Sequence, residues 1–240
     1  MSAQRDEDFL SRGRAARRFA VLAVLVAVLL GGALVAVFAT RDAAAPSGSR
    51  TAPPGRAEPT PVESAPAGPF RLVQGARTEH GVPVGYPHSL AGAVSAAVHY
   101  WAQIASTLDA RRAAEIAGAV ADPSWRDAAR ELAEGPAQTR KALGLPAKGA
   151  TGADVLLTPA AYQVRNATAD SVTVLVLGYY QTTLPDGDVD TRIGVYPAQM
   201  RWVAGDWKMP RPTLSDDFAD LRAAPGSDEA AALGWKPLSE

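Results

Sequence analysis

Residues 171–183 read SVTVLVLGYYQTT, and this stretch decides the fold. It is rich in β-branched and aromatic side chains, and its core, Val172 to Leu177, is apolar on both faces. A strand that is apolar on both faces belongs in the middle of a sheet, covered on each side. Downstream, Pro185-Asp186-Gly187-Asp188 supplies the residues of a chain reversal, and Thr191 to Val203 forms the next strand. Pro197 falls inside that strand, where a missing N–H is tolerated only at an edge or bulge. Ala204-Gly205-Asp206 then turns the chain into Trp207-Lys208-Met209. Upstream the period is also two: beyond Gly152, Tyr162 and Val164 alternate with Gln163 and Arg165, and Asn166 to Asp170 is a polar turn. Successive strands joined by short turns predict an antiparallel meander.

The residues before the meander follow a helical period. Ser89 has the side chain of an N-cap, and Leu90, Val94, Ala97, Trp101, Ile104 and Leu108 recur at steps of three and four, one stripe of an amphipathic helix. A second helix is expected over Asp109 to Val120. Asp122-Pro123 reads as an N-cap acid followed by proline at the first helical position. The third helix would then bury Trp125, Ala128, Ala129 and Leu132 and stop at Gly135-Pro136, with a short helix over Ala137 to Leu143. Phe70 to Pro87, punctuated by glycine and proline, reads as an irregular lead-in. Helices grouped before a curved sheet predict an α+β domain over 70–210. The tail, 211–240, is expected to be partly ordered, with Leu214, Phe218 and Leu221 in a short helix packed on the sheet.

Six aromatics, Tyr100, Trp101, Tyr179, Tyr180, Trp202 and Trp207, are the candidate pocket or interface. They could line the concave face of a curved sheet, or form the core between helix and sheet. The position of Trp101 on the helical stripe favours the core. No catalytic, cofactor or metal site is expected. The histidines His80, His88 and His99 do not stand at metal-ligand spacing, and there is neither a Gly-x-Ser-x-Gly elbow nor any cysteine. Asp186, Asp188 and Asp190 alternate like the start of a calcium loop. The register fails, however, because Thr191 stands where glycine is required and Pro197 where the final acid is required. From Phe70 onward 16 Lys and Arg face 19 Asp and Glu, a mildly acidic balance that argues against nucleic acid.

The first 69 residues differ in kind. Phe19 to Ala39 is a 21-residue run without a charged or strongly polar side chain, long enough to span a bilayer core of about 30 Å. Arg12, Arg14, Arg17 and Arg18 crowd its N-terminal flank. Positive residues stay inside, so residues 1–18 are expected in the cytoplasm and the rest outside. The alternative is a cleaved signal peptide ending at Val37-Phe38-Ala39, although this run exceeds a usual signal h-region. Residues 40–69 hold seven prolines among Ala, Ser, Gly and Thr. Such a tether cannot bury enough surface to fold, and extended it reaches up to about 90 Å.

Three features combine here: the bitopic anchor, the segment Gly81-Val-Pro-Val-Gly-Tyr-Pro-His-Ser-Leu-Ala-Gly-Ala-Val with its alanine-rich helix, and the closing hairpin Trp202 to Lys208. Together they resemble uncharacterised actinobacterial single-pass membrane proteins, some associated with conjugative elements. The helices-then-meander order is similar to the cystatin-like roll of nuclear transport factor, which forms the outer domain of the type IV secretion inner-membrane scaffold subunit. The anchor, the spacer and the missing catalytic site point to a non-enzymatic scaffold or assembly component of a cell-envelope complex, held by Phe19–Ala39 and partnered by proteins or by itself, and the resemblance adds conjugative transfer machinery as its setting. The alternative is an extracytoplasmic small-ligand-binding or sensor module.

Overall fold

A computed structural model describes residues 69–213 and 218–239. The 1–18 tail, the 19–39 run, the 40–69 tether except Pro69, and Leu214 lie outside the described residues. Among the described residues no helix is long and apolar enough to cross a membrane. The chain is α+β: one long helix lies across a curled, largely antiparallel sheet, and two further helices pack beside and behind it.

The lead-in is more regular than its punctuation suggests. It holds a short strand β1 (Phe70–Arg71) and a hairpin of β2 (Arg77–Glu79) and β3 (Val82–Val84). The hairpin closes through His80 and Gly81, both at positive φ (48° and 73°), the twist that a two-residue turn between antiparallel strands requires.

Helix α1 (Leu90–Ala105) starts at Ser89, whose Oγ accepts the Gly92 N–H at 3.1 Å. Gly92 to Val98 are all buried, because the sheet covers one side of the helix while β3 and the next helix cover the other. It ends three residues before Leu108, and Ser106 Oγ accepts the N–H of Leu157. Helix α2 (Ala110–Val120) is capped by Asp109, whose carboxylate accepts from Arg111 and Arg112.

The restart expected at Asp122-Pro123 does not occur. Ala121 forms a bridge with Met209, and reciprocal 2.8 Å bonds link Asp122 N–H to Met209 C=O and Met209 N–H to Val120 C=O. This segment is stitched to the end of the sheet as extended chain. Asp122 uses its carboxylate to accept the Ser124 N–H, and α3 (Ala128–Ala142) begins only after Asp127. Nor does Gly135-Pro136 end that helix, and no separate helix follows: Pro136 is buried inside one continuous α3. An interior proline costs about 3 kcal/mol. Packing along α2 and the last-turn Arg140, which donates to the carbonyls of Leu108, Pro146 and Gly149, offset it.

The sheet runs β1, β8 (Lys236–Ser239), β4 (Asp154–Arg165), β5 (Ser171–Thr183), β6 (Val189–Val203), β7 (Asp206–Lys208). Strand β4 (Asp154–Arg165) begins eight residues before Tyr162. Its register slips between Pro159 and Ala161, and the bulge reverses the alternation. Leu157 and Tyr162 therefore face the same core from positions of opposite parity, which hides the first half of the strand from any period-two reading.

Strand β5 (Ser171–Thr183) is central as expected, flanked by β4 and β6 (Val189–Val203). Val172, Val174 and Val176 join the helix-side core, while Leu175 and Leu177 join a second cluster with Ala161, Ala223, Ala230 and Trp235. That second layer comes from the C-terminal segment. It contains a single 3₁₀ turn (Ala219–Leu221) and a short α4 (Asp228–Ala232), tied down by Trp235 Nε1 donating to Leu221 C=O. Strand β8 (Lys236–Ser239) follows, antiparallel to β4 and parallel to β1. Strand β7 (Asp206–Lys208) pairs only with Arg201–Val203, which leaves Pro197 on an open edge of β6. There its carbonyl accepts Trp101 Nε1 at 3.1 Å.

Candidate functional site

Two stretches far apart in sequence, Gly81–Val94 and Trp202–Lys208, meet at one buried carboxylate. Ala204 and Gly205 both take positive φ (51° and 82°), a tight hairpin turn that delivers Asp206 as the first residue of β7. Its Oδ2 accepts the Gly85 N–H at 2.9 Å, and its Oδ1 accepts those of Tyr86 at 3.1 Å and Trp207 at 2.9 Å. Lys208 Nζ lies 3.2 Å from Oδ2, and Arg77 reaches 3.8 Å from the same oxygen. Asp206 is only 1 % exposed, and a charge that deep is tolerable only when it is paired and fully hydrogen-bonded. The ammonium of Lys208 also donates to Ala119 C=O at the end of α2, so one ion pair fastens the hairpin, the β3–α1 connection and α2 together.

An aromatic cluster surrounds this knot. Tyr100 O–H donates to Trp207 C=O at 2.9 Å, and Trp207 Nε1 donates to Pro87 C=O at 2.9 Å. His88 stacks on Trp202, centroids 4.2 Å apart at 7°, and its Nε2 lies 2.8 Å from Asp170 Oδ1. Trp202 in turn meets Trp207 edge-on at 5.5 Å. Tyr86 shares a 2.6 Å hydrogen bond with His99 Nδ1. Burial, with Asp206 nearby, pushes the phenols of Tyr86 and Tyr100 up, so both remain protonated donors at physiological pH.

Desolvation lowers the pKa of His99. The folded state therefore disfavours the imidazolium relative to the unfolded chain, whose histidine titrates near 6.5. Stability from this group is fully present above about pH 6.5 and is lost as pH falls from there through the lower folded value. Thermal unfolding of the chain at pH 7.5 and 5.5 is expected to show a loss at 5.5 that shrinks in His99→Gln; an equal loss in both would exclude His99 as its source.

The six aromatics expected at a pocket or interface do not share one cavity. Tyr100 and Trp207 are buried with their polar tips satisfied, and Trp202 is half-buried on His88. Trp101 packs 5.5 Å from Tyr196. Tyr180 joins the helix-side core, where desolvation pushes its phenol up to about 12. Tyr179, one residue before it on β5, points to the opposite face by strand alternation. A groove of about 230 Å³ lies elsewhere, between Leu108-Asp109 and Ala147–Gly149, and Arg140 within it is committed to backbone carbonyls. Among the described residues no group of three or more acids and histidines is placed to hold a metal ion. Asp186 Oδ1 instead accepts the Asp188 N–H within its turn, and Asp190 pairs with Arg192.

Sequence reading identified the two aromatic ends of this knot and missed its charged centre, taking Asp206 for a turn residue. The available signal was an acid directly before Trp207 and two before Lys208, following the apolar run Trp202–Gly205.

A family model described as a domain of unknown function (DUF8175) matches residues 39–228. No curated protein and no solved structure matches the chain.

Proposed function

We propose, for a chain that belongs to the DUF8175 family of domains of unknown function, that it is a non-enzymatic, membrane-anchored assembly component of a cell-envelope complex, with conjugative transfer machinery as the setting. The observation that carries this reading is the apolar run Phe19–Ala39 with four arginines on its N-terminal flank. A 21-residue apolar helix spans the hydrocarbon core, and the arginine bias holds the N-terminus in the cytoplasm. The family match begins at residue 39, where that run ends, so the anchor and the family domain are adjoining parts of one chain.

We assign the domain to the cystatin-like roll. The order of elements supports this: a long helix, α1, lies across a curled antiparallel sheet that follows it in sequence. The assembly role is supported by how the aromatic cluster is used. The polar tips of Tyr100, Trp101 and Trp207 are spent on backbone carbonyls of the same chain, which gives a stiff body that a tether of up to about 90 Å can present to neighbours.

Reporter fusions test the placement. Alkaline phosphatase joined after Gly68 is expected to be active, and a cytoplasm-dependent fluorescent protein at the same point dark. The reverse pattern, or a product released from membranes, overturns the anchored reading. Co-purification of the full chain with envelope subunits, or its self-association, is expected. A strictly monomeric chain without protein partners that is stabilised by a small metabolite would instead favour the ligand-binding module.

A further inference from the structure

We infer that the open edge of β6 is a self-pairing surface, on which a second copy of this chain adds its own β6 antiparallel about a two-fold axis at Thr191. The inference deepens the assembly reading by naming a surface and a partner, and it relies on that reading only for the anchoring that concentrates the chains.

The edge follows from the strand order. Among the described residues β7 is the one strand on that side of β6, and it covers only Arg201–Val203. In an antiparallel pair successive residues direct their backbone groups to opposite neighbours. Arg201 and Val203 turn theirs toward β7, so Val189, Thr191, Ile193, Val195 and Pro197 turn theirs outward. Further along, the edge is occupied: Trp101 Nε1 takes the Pro197 carbonyl, and Gln199 Oε1 accepts from Thr213. Val189 to Val195 remains, beginning with three exposed residues. Val189 is 58 % exposed, one of two exposed large hydrophobic side chains among the described residues.

Charge selects the register. Natural edges use charges to repel a second strand, but Asp190 and Arg192 are two apart on one face with opposite signs. They pair with each other at 2.6 Å in the single chain. A two-fold axis at 190 or at 192 would set like charges directly opposite, which destabilises a cross-strand pair. An axis at 193 would set Val189 against Pro197, which has no N–H and whose carbonyl is taken. An axis at Thr191 places each Asp190 opposite the partner's Arg192, and on the other face each exposed Val189 beside the partner's Ile193. Such an interface is self-complementary, as a two-fold contact must be. It is also short, and its affinity depends on anchoring, which raises the effective concentration of tethered domains.

The chain has no cysteine, so a single introduced thiol reports one position. In membranes holding the full chain, Thr191→Cys is expected to give a disulfide-linked dimer under mild oxidation, at least tenfold above Asp127→Cys on the exposed start of α3. Adding Asp190→Arg or Arg192→Asp to Thr191→Cys should each cut the dimer several-fold. The intrachain pair lies at the surface, with Asp190 exposed and Arg192 partly so, and losing it leaves the fold in place. Co-expressing those two charge variants should restore the dimer, because one then carries two arginines and the other two aspartates on facing strands. Loss of the pair within one chain cannot be repaired in trans. Cross-linking of Thr191→Cys no better than the Asp127→Cys control, or charge variants without effect, overturns the edge-pairing inference. If the chain still self-associates by amine cross-linking in that event, the assembly reading survives it. Dimers through Thr191 from a chain whose fusions report a cytoplasmic domain would leave the edge pairing standing and overturn the anchored reading.

Discussion

Asp206→Ala is expected to destabilise the domain by about 3–5 kcal/mol, the cost of breaking a buried ion pair by removing one partner. The substitution strips acceptors from three N–H groups, those of Gly85, Tyr86 and Trp207, and leaves Lys208, itself only 15 % exposed, facing an empty site. Each buried donor left unsatisfied costs about 1–3 kcal/mol, and local rearrangement recovers part of the sum. Asp206→Asn keeps the shape and one carbonyl acceptor but loses the charge, so it should fall between alanine and the native chain. Lys208→Met on top of Asp206→Ala should recover part of the loss by removing the stranded ammonium. Denaturant unfolding followed by tryptophan fluorescence reads this directly, since Trp202 and Trp207 lie within the knot. An Asp206→Ala chain within about 1 kcal/mol of native stability would show that the carboxylate does not fasten the two stretches.

Packing and local rules made the interior legible. Val172–Leu177, apolar on both faces, is central because helices cover one side and the C-terminal segment the other. Pro197 was bound to an edge or bulge, and it lies beyond the reach of β7. The errors arose where a long-range contact overrode a local signal. Asp122-Pro123 has the chemistry of a helix start, yet reciprocal bonds to Met209, 87 residues on, hold it extended. Gly135-Pro136 has the chemistry of a stop, yet tertiary packing carries α3 through it. A bulge hid the first half of β4, since a parity change defeats a fixed period. The C-terminal strand is four residues long and pairs with β4 and β1, partners that no local window contains. The candidate site was half legible for the same reason: the aromatics announce themselves by size, whereas Asp206 matters only because Gly85 and Tyr86 arrive from 121 and 120 residues away.

Gly92→Ala is expected to reverse the usual sign of its kind. In a helix interior glycine is worse than alanine by roughly 0.5–1 kcal/mol, so filling such a position normally stabilises. Gly118 on α2 is that ordinary case. It is exposed, and an added Cβ would stand 4.0 Å from the His80 ring; Gly118→Ala should raise stability by about that amount. At Gly92 an added Cβ would fall 2.0 Å from the carbonyl oxygen of Pro87, deep inside van der Waals contact and against backbone rather than a side chain that can swing away. Either α1 or the Pro87 peptide must move. That same carbonyl accepts Trp207 Nε1 at 2.9 Å and the Ser89 N–H at 2.9 Å, so moving it also loosens the hairpin and the helix cap. Overpacking typically costs about 1–3 kcal/mol, and each weakened hydrogen bond adds about 0.5–1.5 kcal/mol. Gly92→Ala should therefore lower stability by about 2–4 kcal/mol and red-shift tryptophan emission as Trp207 loses its seat. The comparison is internal: the same substitution in two helices of one chain, with opposite signs expected. Equal stabilisation by both would mean that α1 does not press on Pro87, and that the Gly81–Val94 segment owes its glycine at 92 to something other than close approach of the backbone.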